Sequence, residues 1–226
     1  DYNIKDVEIV DQLEDKLKLI ELVLTMAYEA KVNYTDVFSQ VRMWDMLIYN
    51  YLKKDNIMIP PKEDNVKEDK YDGAYVKDPI TGMHNWIVSF DINSLYPHLI
   101  MQYNISPEKI IGVKPSGVSV DRLLKHATPL THLKTEGACI TPNGAMFKTD
   151  SPGFLPRLME KMYNDRVKFK TLAFQAKKEY QKTKDPKTAK EISRCHNIQW
   201  AKKIALNSAY GAIGNQYFRY YDVRQA

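Results

Sequence analysis

The chain has 226 residues, 44% of them hydrophobic and 27% charged, which suits one large domain or two small ones with a real core. Its two cysteines, Cys139 and Cys195, rule out a disulfide-stapled scaffold and stand in no metal-ligand spacing, so they read as free thiols of a reducing compartment. No run of about 18 apolar residues occurs, so no membrane-spanning helix is expected. The net charge of +5 is unevenly spread. Cations crowd the stretch from Arg157 to Lys203, where only Glu160, Asp165, Glu179, Asp185 and Glu191 oppose them. A polyanionic partner would explain that arm, and so would a solvated helical hairpin.

In chain order, the spacing of Val10, Leu13, Leu17, Ile20, Leu24 and Ala27 predicts a helix from Asp6 to about Lys31. A second helix is predicted from Val41 to Lys53, with Trp44, Leu47, Ile48 and Tyr51 on its buried side. The proline-bearing polar stretch from Ile59 to Asn65 reads as a boundary. Tyr75–Val76 and Trp86–Phe90 read as strands joined by a turn through Asp78-Pro79-Ile80-Thr81-Gly82. The pattern turns helical from Ser94 to Tyr103. Short strands follow at Ala138–Ile140 and Ala145–Phe147. Two long helices, Pro156–Lys182 and Lys187–Tyr210, flank a turn at Asp185-Pro186 and should form an antiparallel hairpin. The predicted class is α+β.

Two segments carry chemistry. Asp91 ends an apolar run and precedes Asn93-Ser94, good helix N-cap types, with Pro97 in the first turn. One carboxylate beside several helix-start N–H groups suits a magnesium-bound triphosphate. Many non-catalytic proteins carry a junction of the same kind. Tyr96 places a rigid ring where a nucleotide sugar could lie, or is an ordinary half-buried tyrosine. Further on, Lys203, Asn207 and Tyr210 at i, i+4 and i+7 form one helical stripe, and Arg166 and Lys170 are i and i+4 on the preceding helix. Lysine and asparagine can hold phosphate, and a tyrosine can pack on a base or sugar. The stripe fits a phosphate site or a solvated face. Gly211 behind Tyr210 would let a backbone or a nucleic acid come close.

In their order along the chain, these segments resemble the family B DNA polymerases, and most closely those of T-even-like tailed phages. Tyr2-Asn3-Ile4-Lys5-Asp6 is similar to the third exonuclease motif, and Tyr71 to Val76 to the tyrosine–glycine segment that touches template phosphates. Asp91 to Pro97 resembles motif A. Thr141 to Phe147 is similar to the strand pair before the fingers, and Lys203 to Gly211 to motif B, with Asn215 and Phe218 to Asp222 also fitting. The resemblance implies the helical end of a 3′–5′ exonuclease domain over residues 1–60. It implies a palm portion over 61–153, a fingers hairpin over 154–206, and the end of motif B with a return to the palm over 207–226.

It further implies Asp91 as a ligand of two catalytic Mg²⁺ ions, with the Ile92 carbonyl beside it. Ser94, Leu95 and Tyr96 would offer backbone N–H groups to the triphosphate, with Tyr96 as sugar gate. Arg166, Lys170, Lys203 and Asn207 would hold phosphates, Lys203 also protonating the leaving pyrophosphate. Tyr210 would check the new base pair. Tyr71, Gly73 and Gly211 would contact DNA. Tyr2 and the metal ligand Asp6 would belong to the exonuclease site. The implied partners are primer–template DNA, deoxynucleoside triphosphates and a sliding clamp for the full-length protein, in the host cytoplasm if the source is a virus. His98 departs from the usual serine, and the fingers are short. The Asp-Thr-Asp segment of motif C and a thumb are not found before Ala226, so the chain reads as a piece of a longer enzyme and is expected not to polymerise alone. A non-catalytic basic nucleotide- or nucleic-acid-binding module is the alternative.

Overall fold

A computed structural model describes residues 2–63, 75–114, 122, 125 and 135–225. The chain divides into two compact units, residues 1–62 with 158–212 and residues 63–157 with 213–226.

In the first unit, α1 (Tyr2–Leu17) and α2 (Leu19–Ala30) replace the single helix expected from Asp6 to Lys31. Lys18 breaks it with a left-handed backbone, φ 51° and ψ 46°. The apolar spacing runs straight through the break, so periodicity could not show it. The Glu14 carboxylate accepts from the Ile20 N–H and so supplies an anchor at the start of the second helix. α1 buries none of its residues, whereas α2 buries Met26, Ala27 and Ala30.

After a 3₁₀ turn at Tyr34–Phe38, α3 (Gln40–Leu52) starts at Ser39, whose Oγ accepts from the Arg42 N–H. It buries Met43, Trp44, Ile48 and Leu52. Leu47 and Tyr51, expected on that face, are half-buried. Asn50 ties α3 back to α2 through the Ala30 carbonyl at 3.1 Å.

The long hairpin of α5 (Phe154–Thr183) and α6 (Pro186–Ile213) is formed as predicted. The Asp185 carboxylate accepts from the Lys187 N–H and caps α6. Met159, Ala201, Ala205, Leu206 and Ala209 are buried along the hairpin in this unit. Trp44 Nε1–H donates to Ser208 Oγ at 3.1 Å, so a large buried aromatic keeps its polar handle satisfied.

In the second unit, α4 (Leu95–Gln102) is followed by a three-stranded antiparallel sheet in the order β1 (Ile110–Val113), β3 (Ala145–Lys148), β2 (Ala138–Ile140). β2 and β3 stand where the sequence put them, paired Cys139 to Phe147 and Ile140 to Met146. β1, missed because Gly112 interrupts its apolar run, pairs Val113 with Ala145 and carries an irregularity between Ile110 and Gly112. Phe147, Leu155, Phe218 and Ile213 are buried in this unit.

A further expectation fails. Tyr75–Val76 and Trp86–Phe90 form no strand, and Trp86 and Phe90 are 98% and 92% exposed. Strand propensity is the ability to fit a half-buried pleated surface. Among the described residues no strand pairs with this stretch, and an unpaired strand has nothing to hold it extended.

Candidate nucleotide and metal site

The hairpin fixes the relation of its own cations. Asp165 Oδ2 lies 3.5 Å from Lys202 Nζ, so these residues face each other across α5 and α6. The Arg194 guanidinium lies 5.9 Å from the Phe169 ring, further toward the tip, which confirms antiparallel packing. One step along a helix turns the side chain by about 100°. On antiparallel neighbours, steps from facing positions turn toward the same side. Arg166 and Lys203 are those next residues, so both sit on one side of the hairpin. Lys170 extends that side one turn, about 6 Å, toward the tip, and Asn207 extends it the same distance toward the root. Arg166 and Lys203 are half-buried, while Lys170 and Asn207 are exposed.

Lys203 belongs to a longer stripe than its sequence neighbourhood announced. Its Nζ sits 4.6 Å from the centre of the Trp200 ring, a cation–π contact, and His196 stacks on the same tryptophan at 6.1 Å and 13°. Going up the helix, His196, Trp200, Lys203, Asn207 and Tyr210 follow steps of four, three, four and three, so they share one face. His196 and Trp200 went unnoticed in the sequence, although the same i−3 and i−7 spacing from Lys203 would have found them. Tyr210 is half-buried and Gly211 is exposed. A Cβ on Gly211 would meet Gln40 Oε1 at 3.0 Å, so the glycine makes room for the start of α3.

In the other unit, the Asp91 segment departs from its expected setting. Asp91 and Ile92 are exposed on an irregular segment and belong to no strand. Ser94 precedes α4 with φ 53° and ψ 43°, in the left-handed region, and its side chain makes no cap hydrogen bond. It therefore does not act as the N-cap that its residue type suggested. The first turn N–H groups of a helix have no intrahelical acceptor, which is what a phosphate uses. His98 reaches back instead: its backbone N–H and its Nδ1–H both donate to the Ser94 carbonyl, at 3.2 and 2.8 Å. Tyr96, in the first turn, is 41% exposed, and Leu95 equally so.

For magnesium, Asp91 offers a carboxylate with the Ile92 carbonyl next along the chain. That fits an ion which binds through one or two carboxylates plus substrate phosphates. Among the described residues no three metal-binding side chains cluster anywhere. Tyr2 and Asp6 lie one turn apart on exposed α1. Tyr71 and Gly73 lie outside the described residues. Among the described residues no helix is long and apolar enough to cross a membrane.

Likeness to known proteins bears on the family of the chain. A family model described as DNA polymerase family B matches residues 33–226. The DNA-directed DNA polymerase of Escherichia phage RB69 is 32% identical over a 266-residue alignment that covers 100% of this chain and 29% of the relative. That of Enterobacteria phage T4 is 30% identical with the same coverage. The solved family B DNA polymerase of Pyrobaculum calidifontis superposes with a TM-score of 0.65 at 22% identity, over 95% of this chain and 25% of that one. The chain thus spans under a third of the length of the phage relatives it matches. A family model over most of the chain and phage relatives aligned along all of it place the chain in DNA polymerase family B.

Proposed function

We propose that this chain is the central segment of a template-directed DNA polymerase, which joins deoxynucleotides to a primer 3′-hydroxyl during DNA replication. The observation that carries the reading is the shared side of the hairpin, where the register of Asp165 against Lys202 brings Arg166 and Lys203 together with Lys170 and Asn207 in line. Four phosphate-binding groups on rigid helices suit a triphosphate, because preorganised donors lose little entropy on binding. Lys203 is placed to neutralise the phosphates and to protonate the leaving pyrophosphate. Asp91 and the Ile92 carbonyl are the groups that would hold Mg²⁺, whose two ions would supply charge neutralisation and an activated primer hydroxyl in an in-line displacement. Ser94, Leu95 and Tyr96 would present helix-start N–H groups to the triphosphate, with the Tyr96 ring beneath the sugar and Tyr210 against the new base pair.

Primer–template DNA and deoxynucleoside triphosphates are the partners this role requires, with Tyr71, Gly73 and Gly211 toward DNA, and a sliding clamp would be a further partner of the full-length protein. Tyr2 and Asp6 would serve proofreading. Residues 1–60, 61–153, 154–206 and 207–226 would then be exonuclease end, palm portion, fingers and return to the palm. A phage source would put the work in the host cytoplasm.

The test is titration of the chain with dATP, with and without Mg²⁺, followed by tryptophan fluorescence, because Trp200 touches Lys203. Saturable quenching that strengthens with Mg²⁺ and is lost in Lys203→Ala is expected. Binding of oligonucleotide alone, with no response to dATP, would favour a non-catalytic basic module.

A further inference from the structure

We propose that Lys202 is a positioning residue for nucleotide binding: held by Glu29 and Asp165, its buried ammonium sets the rotational phase of α5 and α6 and so keeps Arg166 and Lys203 on one side of the hairpin. The proposal rests on the nucleotide reading above and names a device that sustains it.

Lys202 is 7% exposed, next to the half-exposed Lys203. Its Nζ lies 2.7 Å from Glu29 Oε2 on α2 and 3.5 Å from Asp165 Oδ2 on α5. One ammonium therefore touches three helices. A buried cation pairs because the interior solvates it poorly, and the pairing geometry has to be good. The three groups line a cleft of ≈ 140 Å³ whose apolar wall includes Met26, Met43, Leu158 and Met162. Lys31, Lys54 and Lys161 line it as well, and Glu29 and Asp165 are its only acidic lining residues.

The contact of Asp165 with Lys202 is an ion pair at 3.5 Å, set among the apolar side chains of Leu158, Met162, Ala201 and Ala205. Rotating either helix by one residue, about 100°, would carry Arg166 or Lys203 off the common side. The ion pair adds to the cost of that rotation, because the turn would separate Lys202 from Asp165. Asp165 and Lys202 sit immediately before Arg166 and Lys203 in sequence, so no flexible segment lies between each anchor and the group it aims.

Two measurements separate this from the nucleotide reading. Spin labels on Arg166→Cys and Lys203→Cys, in a Cys139→Ser background with buried Cys195 left native, report the distance between the two positions in the 226-residue chain. A single narrow distribution is expected, broadened by Lys202→Met and narrowed again by Lys202→Arg. Glu29→Gln, which keeps Asp165, should broaden it partly and serves if Lys202→Met does not fold. In parallel, with Arg166 and Lys203 intact, Lys202→Met should weaken Mg-dATP binding about tenfold, the equivalent of about 1.4 kcal/mol, and Lys202→Arg should restore it. An unchanged label distribution in Lys202→Met sinks the positioning role whatever the nucleotide data show. A broadened distribution with unchanged dATP affinity also overturns it. If Lys203→Ala binds dATP as tightly as the native chain, the nucleotide reading itself falls and takes the proposal with it.

Discussion

Replacing Gly153 by alanine should unseat the start of α5, and the structure gives the size of the effect. A Cβ at this position would lie 2.5 Å from Ser106 Cβ, 2.8 Å from Ser106 Oγ and 3.1 Å from Glu108 Oε1. Ser106 is fully buried, so it has no space to retreat into. It is also part of the cap of α5. Gly153 N–H donates to Asn104 Oδ1 at 2.8 Å, Phe154 N–H to Glu108 Oε1 at 2.7 Å and Leu155 N–H to Ser106 Oγ at 3.3 Å. Ser106 Oγ–H donates in turn to Glu108 Oε2 at 2.6 Å, and Asn104 is held by the carbonyls of Lys148 and Ser151. These residues come from the loop that leads into β1, about fifty positions before the helix they cap. Overpacking of this kind costs about 1–3 kcal/mol. Loss of a cap adds about 0.5–2 kcal/mol. Together they predict a destabilisation of roughly 1.5–5 kcal/mol.

Urea unfolding followed by far-UV circular dichroism measures the change. The closest contact is carbon to carbon, so Ser106→Ala should not relieve it, whereas Ser106→Gly should recover part of the loss in the double variant. A Gly153→Ala chain within about 0.5 kcal/mol of the native one, the range of ordinary surface substitutions, would show that the loop yields freely and that the cap is not built around this glycine.

Three further outcomes are expected. The Arg194 guanidinium, and after it the Cys195 thiol, hold the Glu191 carboxyl at about 2, below its ordinary 4.5; a group held low in the folded chain stabilises it above the unfolded value, so this contribution should fade as pH falls from 4.5 toward 2 and be absent in Glu191→Gln, read as helix content against pH. Burial, then the Glu191 carboxylate, pushes the Cys195 thiol up, so a thiol reagent should modify half-exposed Cys139 in the native chain and Cys195 only on unfolding; equal rates would refute the packing of α6. In a longer chain that polymerises, Tyr96→Ala should raise the ratio of ribonucleotide to deoxynucleotide efficiency about 5- to 150-fold, the equivalent of removing a 1–3 kcal/mol clash, and an unchanged ratio would make Tyr96 a packing residue only.

What could be read from residues alone divides by the range of the forces involved. The hairpin was legible because helix spacing, the Asp185-Pro186 turn and the caps are local, and its cations kept their stripe when it folded. β2 and β3 were legible for the same reason, since Thr141-Pro142-Asn143-Gly144 closes them within a few residues: Gly144 takes φ 89° and its N–H donates to the Thr141 carbonyl at 2.8 Å. The break at Lys18 was not legible, because it turns on a single backbone conformation that the apolar spacing does not sense. Trp86–Phe90 failed for the opposite reason. Its apolar run describes a strand correctly as a surface, but pairing depends on another segment, and the described residues supply none.

The same division explains why the candidate residues of the two units stand differently. Lys203, Asn207, Arg166 and Lys170 draw their order from helices with buried faces, and the ion pair of Lys202 registers one helix on the other. Asp91 has no such support: it lies on an exposed irregular segment before a helix at whose start the His98 ring holds the Ser94 carbonyl, with no cap bond from the Ser94 side chain. A carboxylate of this kind acquires its geometry from what binds it. On the proposed reading, magnesium and triphosphate are themselves multidentate, so the phosphate-binding candidates on the hairpin would need stricter preorganisation than Asp91. The substitutions that weaken Mg-dATP binding most are then expected on the hairpin.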